Sequence, residues 1–355
     1  MTHLDRFYGA IKRQKVSRAP CGFHATPEMW RALCDFTGRT TQQLLYEDFD
    51  VDRRGAMPPY TGRELRRFPD GTYESVWGVR YRDVSYGHGS YSEAVFSPLK
   101  EAQTISDVEA HDWPSPIDYD FAALGTQFDS APGYAYMVGY ISLGWFAWEL
   151  RSMEGHLEDL AANEVMADAV IERIAQWGYE YFARVLEAGK PWAGREFSCI
   201  QLADDFGTQE GPMISGATYR RFYQKAYRKL CDMAHAAGVL VEFHSCGGVA
   251  PLIPDLIDTG IDILNPLQTS AKGMDPETLK RQYGASIAFS GGIDVQQVLP
   301  RVSEREVRGE VFRLLDIMAR DGGYILEPSH AVQIGTPPGN VMAMFSALDE
   351  YYESK

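Results

Sequence analysis

Short apolar runs alternate along this chain with longer stretches whose apolar residues recur every three or four positions. The runs lie at 20–25, 45–51, 134–141, 197–203, 239–244, 261–265, 286–290 and 324–328, and each is bounded by Gly, Pro, Asn or Asp. Runs of this length between turn residues predict buried strands, and the amphipathic segments at 164–188, 216–237, 249–259, 275–283, 303–320 and 338–352 predict helices. Eight strands with intervening helices predict an α/β fold, a (β/α)8 TIM barrel in which all strands run parallel. The stretch 63–98 breaks the pattern: 72–77 and 79–86 alternate polar and aromatic residues after Pro69-Asp70-Gly71. It predicts an antiparallel β-ribbon inserted after the second strand, within an insertion spanning about 55–130 of one barrel domain covering 1–355. Such a ribbon serves as a lid over one end of the barrel or as a contact in a homodimer.

A barrel builds its active site from the C-terminal ends of its strands, so polar residues that end apolar runs are the candidates. They are His24, the acidic residues of Glu47-Asp48-Phe49-Asp50, Asp204 and Asp205, His244 and Cys246, Asn265 with Gln268, Asp294, and His330. In Glu242-Phe243-His244-Ser245-Cys246-Gly247-Gly248, strand alternation sends Glu242, His244 and Cys246 to one side, and the glycines let the backbone turn sharply. A thiolate beside an imidazole suits zinc better than magnesium or calcium. His330 is then either a third ligand or a proton donor. Glu242 and Glu327 could each add an oxygen ligand or instead pair with an Arg or Lys. Asp204 and Asp205 are neighbours, so only one faces the pocket, to orient a substrate or move a proton; the other reading is a helix cap or a surface ion pair. His24, Asn265, Gln268 and Asp294 either bind substrate or hold loops. The aromatic group Tyr134, Tyr136, Tyr140, Trp145, Phe146 and Trp148 either lines an apolar cavity or belongs to the core.

Charge narrows the partners. Thirty-four basic and 49 acidic residues give a net charge of −15, which repels nucleic acid. Five scattered cysteines predict reduced thiols rather than a disulfide framework. No apolar run is long enough to span a membrane, and the opening Met1-Thr2-His3-Leu4-Asp5-Arg6 lacks a secretory apolar segment, so a cytoplasmic protein is expected. No Gly-x-Gly-x-x-Gly or Walker pattern follows a strand, which leaves a nucleotide cofactor without support.

Several pieces together carry a resemblance: His244-Ser245-Cys246-Gly247-Gly248, Asn265-Pro266, Gly291-Gly292-Ile293-Asp294, Gly322-Gly323-Tyr324-Ile325-Leu326, Ser329-His330 and Thr336-Pro337-Pro338-Gly339-Asn340-Val341. With Asp112-Trp113-Pro114 and Asp204-Asp205-Phe206-Gly207-Thr208-Gln209, these resemble the uroporphyrinogen decarboxylase superfamily over nearly the whole chain, and within it the corrinoid-linked and thiol methyltransferases. The resemblance implies a TIM barrel that transfers a methyl group between a small substrate and a corrinoid carried by a partner protein, the donor being a methyl ether or methylamine-like molecule or the acceptor a thiol or folate. It implies zinc on His244 and Cys246, with His330 where the methyltransferases carry a further Cys and the decarboxylases a His. Decarboxylases of this superfamily grip a tetrapyrrole with an Arg-Gln-Ala-Gly-Arg segment; here Ser17-Arg18-Ala19-Pro20-Cys21-Gly22-Phe23-His24-Ala25-Thr26 lacks the paired arginines, which argues against that substrate. The alternatives are a metal-independent decarboxylase or lyase using His330 and an Asp as acid and base, and a non-catalytic corrinoid-binding module.

Overall fold

The computed structural model describes residues 1–87 and 89–354. Its central element is a parallel seven-stranded sheet in the order β1 (Arg53–Ala56), β5 (Ala135–Ile141), β6 (Phe197–Ala203), β7 (Leu240–His244), β8 (Ile263–Leu267), β9 (Ala288–Ile293) and β10 (Tyr324–Pro328). The gap between β10 and β1 is filled by the chain around Cys21. Leu326 N–H donates to Pro20 O (2.9 Å), Gly22 N–H to Leu326 O (3.2 Å) and Asp52 N–H to Cys21 O (2.9 Å). The eighth stave at 20–25 therefore exists as bridges of Cys21 to Leu326 and of Ala25 to Val332 rather than as a full strand. The barrel expectation holds.

The helices follow the periodicity. Helix Glu164–Gly189 buries Ala167, Val170, Ile171, Ile174, Tyr181, Phe182 and Val185, the i, i+3, i+4, i+7 face that packs on the sheet. Asp275 and Ser303 accept backbone N–H groups at the starts of helices Pro276–Tyr283 and Glu304–Leu314, which is why both begin where they do. The stretch 216–237 is two helices, Gly216–Phe222 and Gln224–Ala236.

The second strand differs from its expectation. Residues 44–48 form a wide helical turn after a short helix capped by Thr40, and the strand is Arg53–Ala56. Leu44 and Phe49 are buried five residues apart, a spacing that suits a helical turn better than alternation. Arg53-Arg54-Gly55-Ala56 carries no apolar signature because its inward residue is a charged one. The insertion contributes an antiparallel ribbon of β2 (Tyr73–Glu74), β3 (Arg80–Ser85) and β4 (Ser90–Phe96), anchored where Tyr81 Oη donates to Glu149 Oε1 (2.5 Å).

Arg53 occupies the barrel interior. Its guanidinium donates to Glu242 Oε2 on β7 (2.5 Å) and to Glu327 Oε1 on β10 (2.8 Å), with Ser290 Oγ at 3.3 Å. Burial opposes its charge, but Glu242 and then Glu327 hold its pKa above the ordinary arginine value. Glu242 is pushed up to about 6 by burial, against the pull of Arg53. Removing one partner of such a group strands buried charge. Arg53→Met is expected to lower stability by about 3–5 kcal/mol in urea unfolding, and Arg53→Met combined with Glu242→Leu to recover part of that loss.

Candidate metal centre and its cavity

The strand ends bring three ligand-type side chains together. One donor atom from each of His244, Cys246 and His330 lies within 4.8 Å of the others, and they form a metal-capable group among the described residues. Cys246 Sγ stands 3.4 Å from His244 Nε2. Tetrahedral zinc with its usual S and N bond lengths would set that separation at roughly 3.6 Å, so the pair is spaced for one ion.

The partners of His244 fix its tautomer. Its Nδ1 lies 2.7 Å from Asn265 Oδ1, while Asn265 Nδ2 faces Glu327 Oε2 and Ser290 Oγ, each at 3.3 Å. Arg53 makes Glu327 an acceptor, so the Asn265 amide must point its NH2 there and its carbonyl at His244. Nδ1 therefore carries the proton and the Nε2 lone pair faces Cys246. Burial, and then His244, lower the pKa of His330, which keeps that imidazole neutral and able to ligate. Burial, and then Asp205, hold the Cys246 thiol well above its ordinary value. A thiol in that setting ionises on contact with a cation. The donor set thus fits zinc: two imidazoles, a thiol that a metal would ionise, and room for an exchangeable fourth position.

Backbone shape presents the pair. Gly247 has φ +83°, and a Cβ there would come within 2.5 Å of the Gly207 carbonyl carbon; a Cβ on Gly207 would lie 2.3 Å from Cys246 O. The loops after β6 and β7 therefore touch backbone to backbone, a fit that only glycine permits. Gly247 N–H donates to Gln268 Oε1 (2.8 Å) and Cys246 N–H to Asp205 Oδ1 (3.0 Å).

Other predicted residues separate into two groups. His24, Asp205, His244, Asn265, Glu242, Glu327 and His330 line one cavity of about 680 Å³. Glu242 is bound by Arg53 and is no part of the His/Cys group, which corrects its reading as a ligand. Asp204 turns away: both oxygens are buried, accepting from Ser142 Oγ, Tyr227 Oη (2.5 Å), Gly144 N–H (2.9 Å) and Trp145 N–H (2.7 Å). It secures the start of helix Leu143–Arg151 rather than touching substrate. Gln268 holds the Cys246 loop, and Asp294 Oδ1 accepts Gln296 N–H (2.7 Å) and Gln297 N–H; neither lines the cavity. Tyr140 and Trp145 line the cavity, whereas Tyr136 and Trp148 are buried, so the aromatic group divides between wall and core. Arg53, Gln201 and Met137 also line it and went unpredicted; two adjacent arginines in a stretch bounded by Asp52 and Gly55 were the available signal for the first.

The sequence profile of the uroporphyrinogen decarboxylase (URO-D) family matches residues 147–351. The chain belongs to that family. It is 22% identical over 262 residues to the uroporphyrinogen decarboxylase of a Synechocystis species, covering 71% of this chain and 69% of the relative. It is 27% identical over 154 residues to the methylcobamide:CoM methyltransferase MtaA of Methanosarcina barkeri, covering 43% of this chain and 42% of the relative. This chain matches less than two thirds of that methyltransferase's length. A methyltransferase from Methanosarcina mazei superposes over 99% of both chains with a TM-score of 0.68 at 17% identity, which shows the shared fold. Family membership and that superposition agree with the barrel architecture.

Burial raises the Asp204 pKa from 3.8 to about 6, outweighing its four hydrogen bonds. The folded chain then binds this proton more tightly than the unfolded chain, so Asp204 supports folding most below about pH 4 and progressively less as pH rises through 6. Relative to Asp204→Asn, the wild-type protein is expected to lose up to roughly 3 kcal/mol between pH 4 and 7, read by denaturant unfolding at each pH. The opposite slope would mean that the hydrogen bonds outweigh burial.

Proposed function

We propose that this chain is a methyltransferase that moves a methyl group between a small substrate and a corrinoid carried by a partner protein, with zinc held by His244, Cys246 and His330. The observation that carries the reading is the convergence of those three donors within 4.8 Å, with His244 and His330 lining the cavity. Zinc bound there would supply Lewis acidity to a substrate heteroatom. Asn265 holds the His244 ring with its lone pair outward, and Gln268 and Asp205 hold the Cys246 backbone. Asp205, with Oδ1 3.8 Å from His244 Nε2, sits where it can orient the substrate, and His24 and His330 flank the same cavity. A cavity of about 680 Å³ suits a small molecule, so a corrinoid would meet it at the mouth on its own carrier.

The similarity to a uroporphyrinogen decarboxylase keeps a second reading open: metal-independent decarboxylation, with His330 and Asp205 as acid and base. Recognising a carboxylated substrate calls for an unpaired cation in the wall. Arg53 is already bound to two carboxylates, whereas Arg54, whose guanidinium stacks against Tyr46 and Tyr134, lines the cavity with no carboxylate partner among the described residues. The convergence of His244, Cys246 and His330, and not the charge of the wall, is what favours methyl transfer.

Purified protein is expected to hold about one zinc per chain by elemental analysis, and Cys246→Ser to lose most of it together with methyl transfer to cob(I)alamin. Turnover that persists in metal-free protein, or that Cys246→Ser leaves unchanged, would sink the proposal. Asn265→Leu is expected to weaken metal binding about 10–100-fold, the usual scale for losing a group that orients a metal-bound histidine, measured by competition with a chelator.

A further inference from the structure

One inward position near the mouth of the barrel carries no side chain. Alternation puts Gly55 on the same face of β1 as Arg53 and one pleat nearer the C-terminal end of the strand, level with Met137 of β5. Gly55 is exposed and lines the cavity, and a Cβ placed on it would meet nothing within 4 Å. Its φ is not among the positive ones, so the backbone does not call for glycine there. What the glycine supplies is space, and a glycine inside a strand is one mark of a place where a ligand comes close. Arg53 with its two glutamates lies one pleat deeper and closes the floor of that space.

Aromatic side chains stand on both sides of it. In the barrel β1 lies between β5 and the chain around Cys21. On the Cys21 side Phe23 lines the cavity, braced edge-on by Trp30 (5.1 Å between ring centres), Phe49 (5.2 Å) and Phe345 (5.7 Å). On the β5 side Tyr140 and Trp145 line it, against Phe146 (6.0 Å) and Trp148 (5.8 Å). Tyr140 remains 37% exposed and Trp145 39%, the one exposed tryptophan among the described residues. The Trp145 N–H donates to Asp204 Oδ1 (2.7 Å) and to Ser142 Oγ (3.1 Å), so the indole is carried on a fixed helix start. Braced aromatic side chains left open inside a cavity stack best with another flat ring.

We infer that the small substrate of this site is an aromatic compound whose ring enters the space over Gly55, with Phe23 on one side and Tyr140 and Trp145 on the other. As a statement about substrate, this rests on the methyl-transfer reading; as a statement about what the slot binds, it does not. β1 stands three strands from β7 in the sheet, so a ring over Gly55 extends its substituents across the mouth toward His244 and Cys246. An aliphatic molecule of a few atoms would leave the three aromatic side chains uncovered.

2-Methoxyphenol and 2-methoxycyclohexanol carry the same substituents on a flat and on a saturated ring, so they isolate the effect. In calorimetric titrations of the wild-type protein, 2-methoxyphenol is expected to bind about tenfold more tightly than its saturated counterpart, the scale of stacking against two or more rings. Gly55→Leu fills the space over the strand without a backbone clash; it is expected to weaken 2-methoxyphenol by about tenfold and to keep the zinc content and urea midpoint of the wild type. Trp145→Leu keeps an apolar side chain and removes the ring, and is expected to bring the two ligands within about twofold of each other. If Gly55→Leu fails to fold, Trp145→Leu decides. Equal binding of the two ligands to the wild type, no binding of 2-methoxyphenol at millimolar concentration, unchanged binding in folded Gly55→Leu, or an undiminished preference in Trp145→Leu overturns the inference. A protein that holds zinc and methylates cob(I)alamin from methanol, yet ignores 2-methoxyphenol, refutes the inference alone; one that binds 2-methoxyphenol in the slot but holds no zinc refutes the methyl-transfer reading alone.

Discussion

The orientation of His244 at the mouth of this barrel stands on one buried ion cluster, Arg53 between Glu242 and Glu327. Barrel interiors are ordinarily filled by branched apolar side chains in layers. Here one layer is ionic, which costs desolvation that apolar packing would not. The cluster earns its place through direction. Arg53 reaches across from β1 to β7 and β10, and by fixing Glu327 as an acceptor it decides which way the Asn265 amide points, and so which nitrogen of His244 is free. Gly22 shows how tightly the arrangement is held, since a Cβ there would lie 2.1 Å from Glu327 Oε1.

Layering also explains why Glu242 and His244, two residues apart on one strand face, do different work. Glu242 sits one pleat deeper, level with Arg53, and is 1% exposed. His244 sits at the rim, where its side chain is 25% exposed and a ligand can reach it. Alternation along a strand assigns residues to a face but not to a depth. That is why the inward face of 242–246 was legible from the sequence, whereas the division of labour along it needed the position of Arg53. The second strand was missed for the same reason: its inward residue is charged and satisfied by partners 189 and 274 positions away. No local pattern of apolar residues reports such a pairing.

Adjacent residues at the fourth barrel position show the limit in another form. Asp204 and Asp205 point to opposite sides, as strand geometry requires, but their roles depend on what lies at each side. Asp205 meets the cavity and the Cys246 N–H, while Asp204 meets Ser142, Tyr227 and the start of a helix from the preceding strand's loop. The long amphipathic helices, the six buried strands from 135 to 328 and the terminal glycines were all legible because each is specified within a few residues. The wall formed by Trp145 and Tyr140 was visible only as an aromatic cluster, since its division between core and cavity is set by Asp204 from the next strand.

These dependencies run in one direction, from the interior outward. The ion cluster orients Asn265, Asn265 orients His244, and the contact of Gly207 with Gly247 delivers Cys246 beside it. Asp204 separately fixes the aromatic wall, and Asp205 belongs to both halves, bonded to the Cys246 backbone and exposed to the cavity. A carboxylate shared in this way couples the cavity to the metal-capable group: a molecule bonded to Asp205 is held within reach of His244 Nε2, 3.8 Å from the same oxygen. The placement of Asp205 thus ties the position of the thiol to the wall of the cavity.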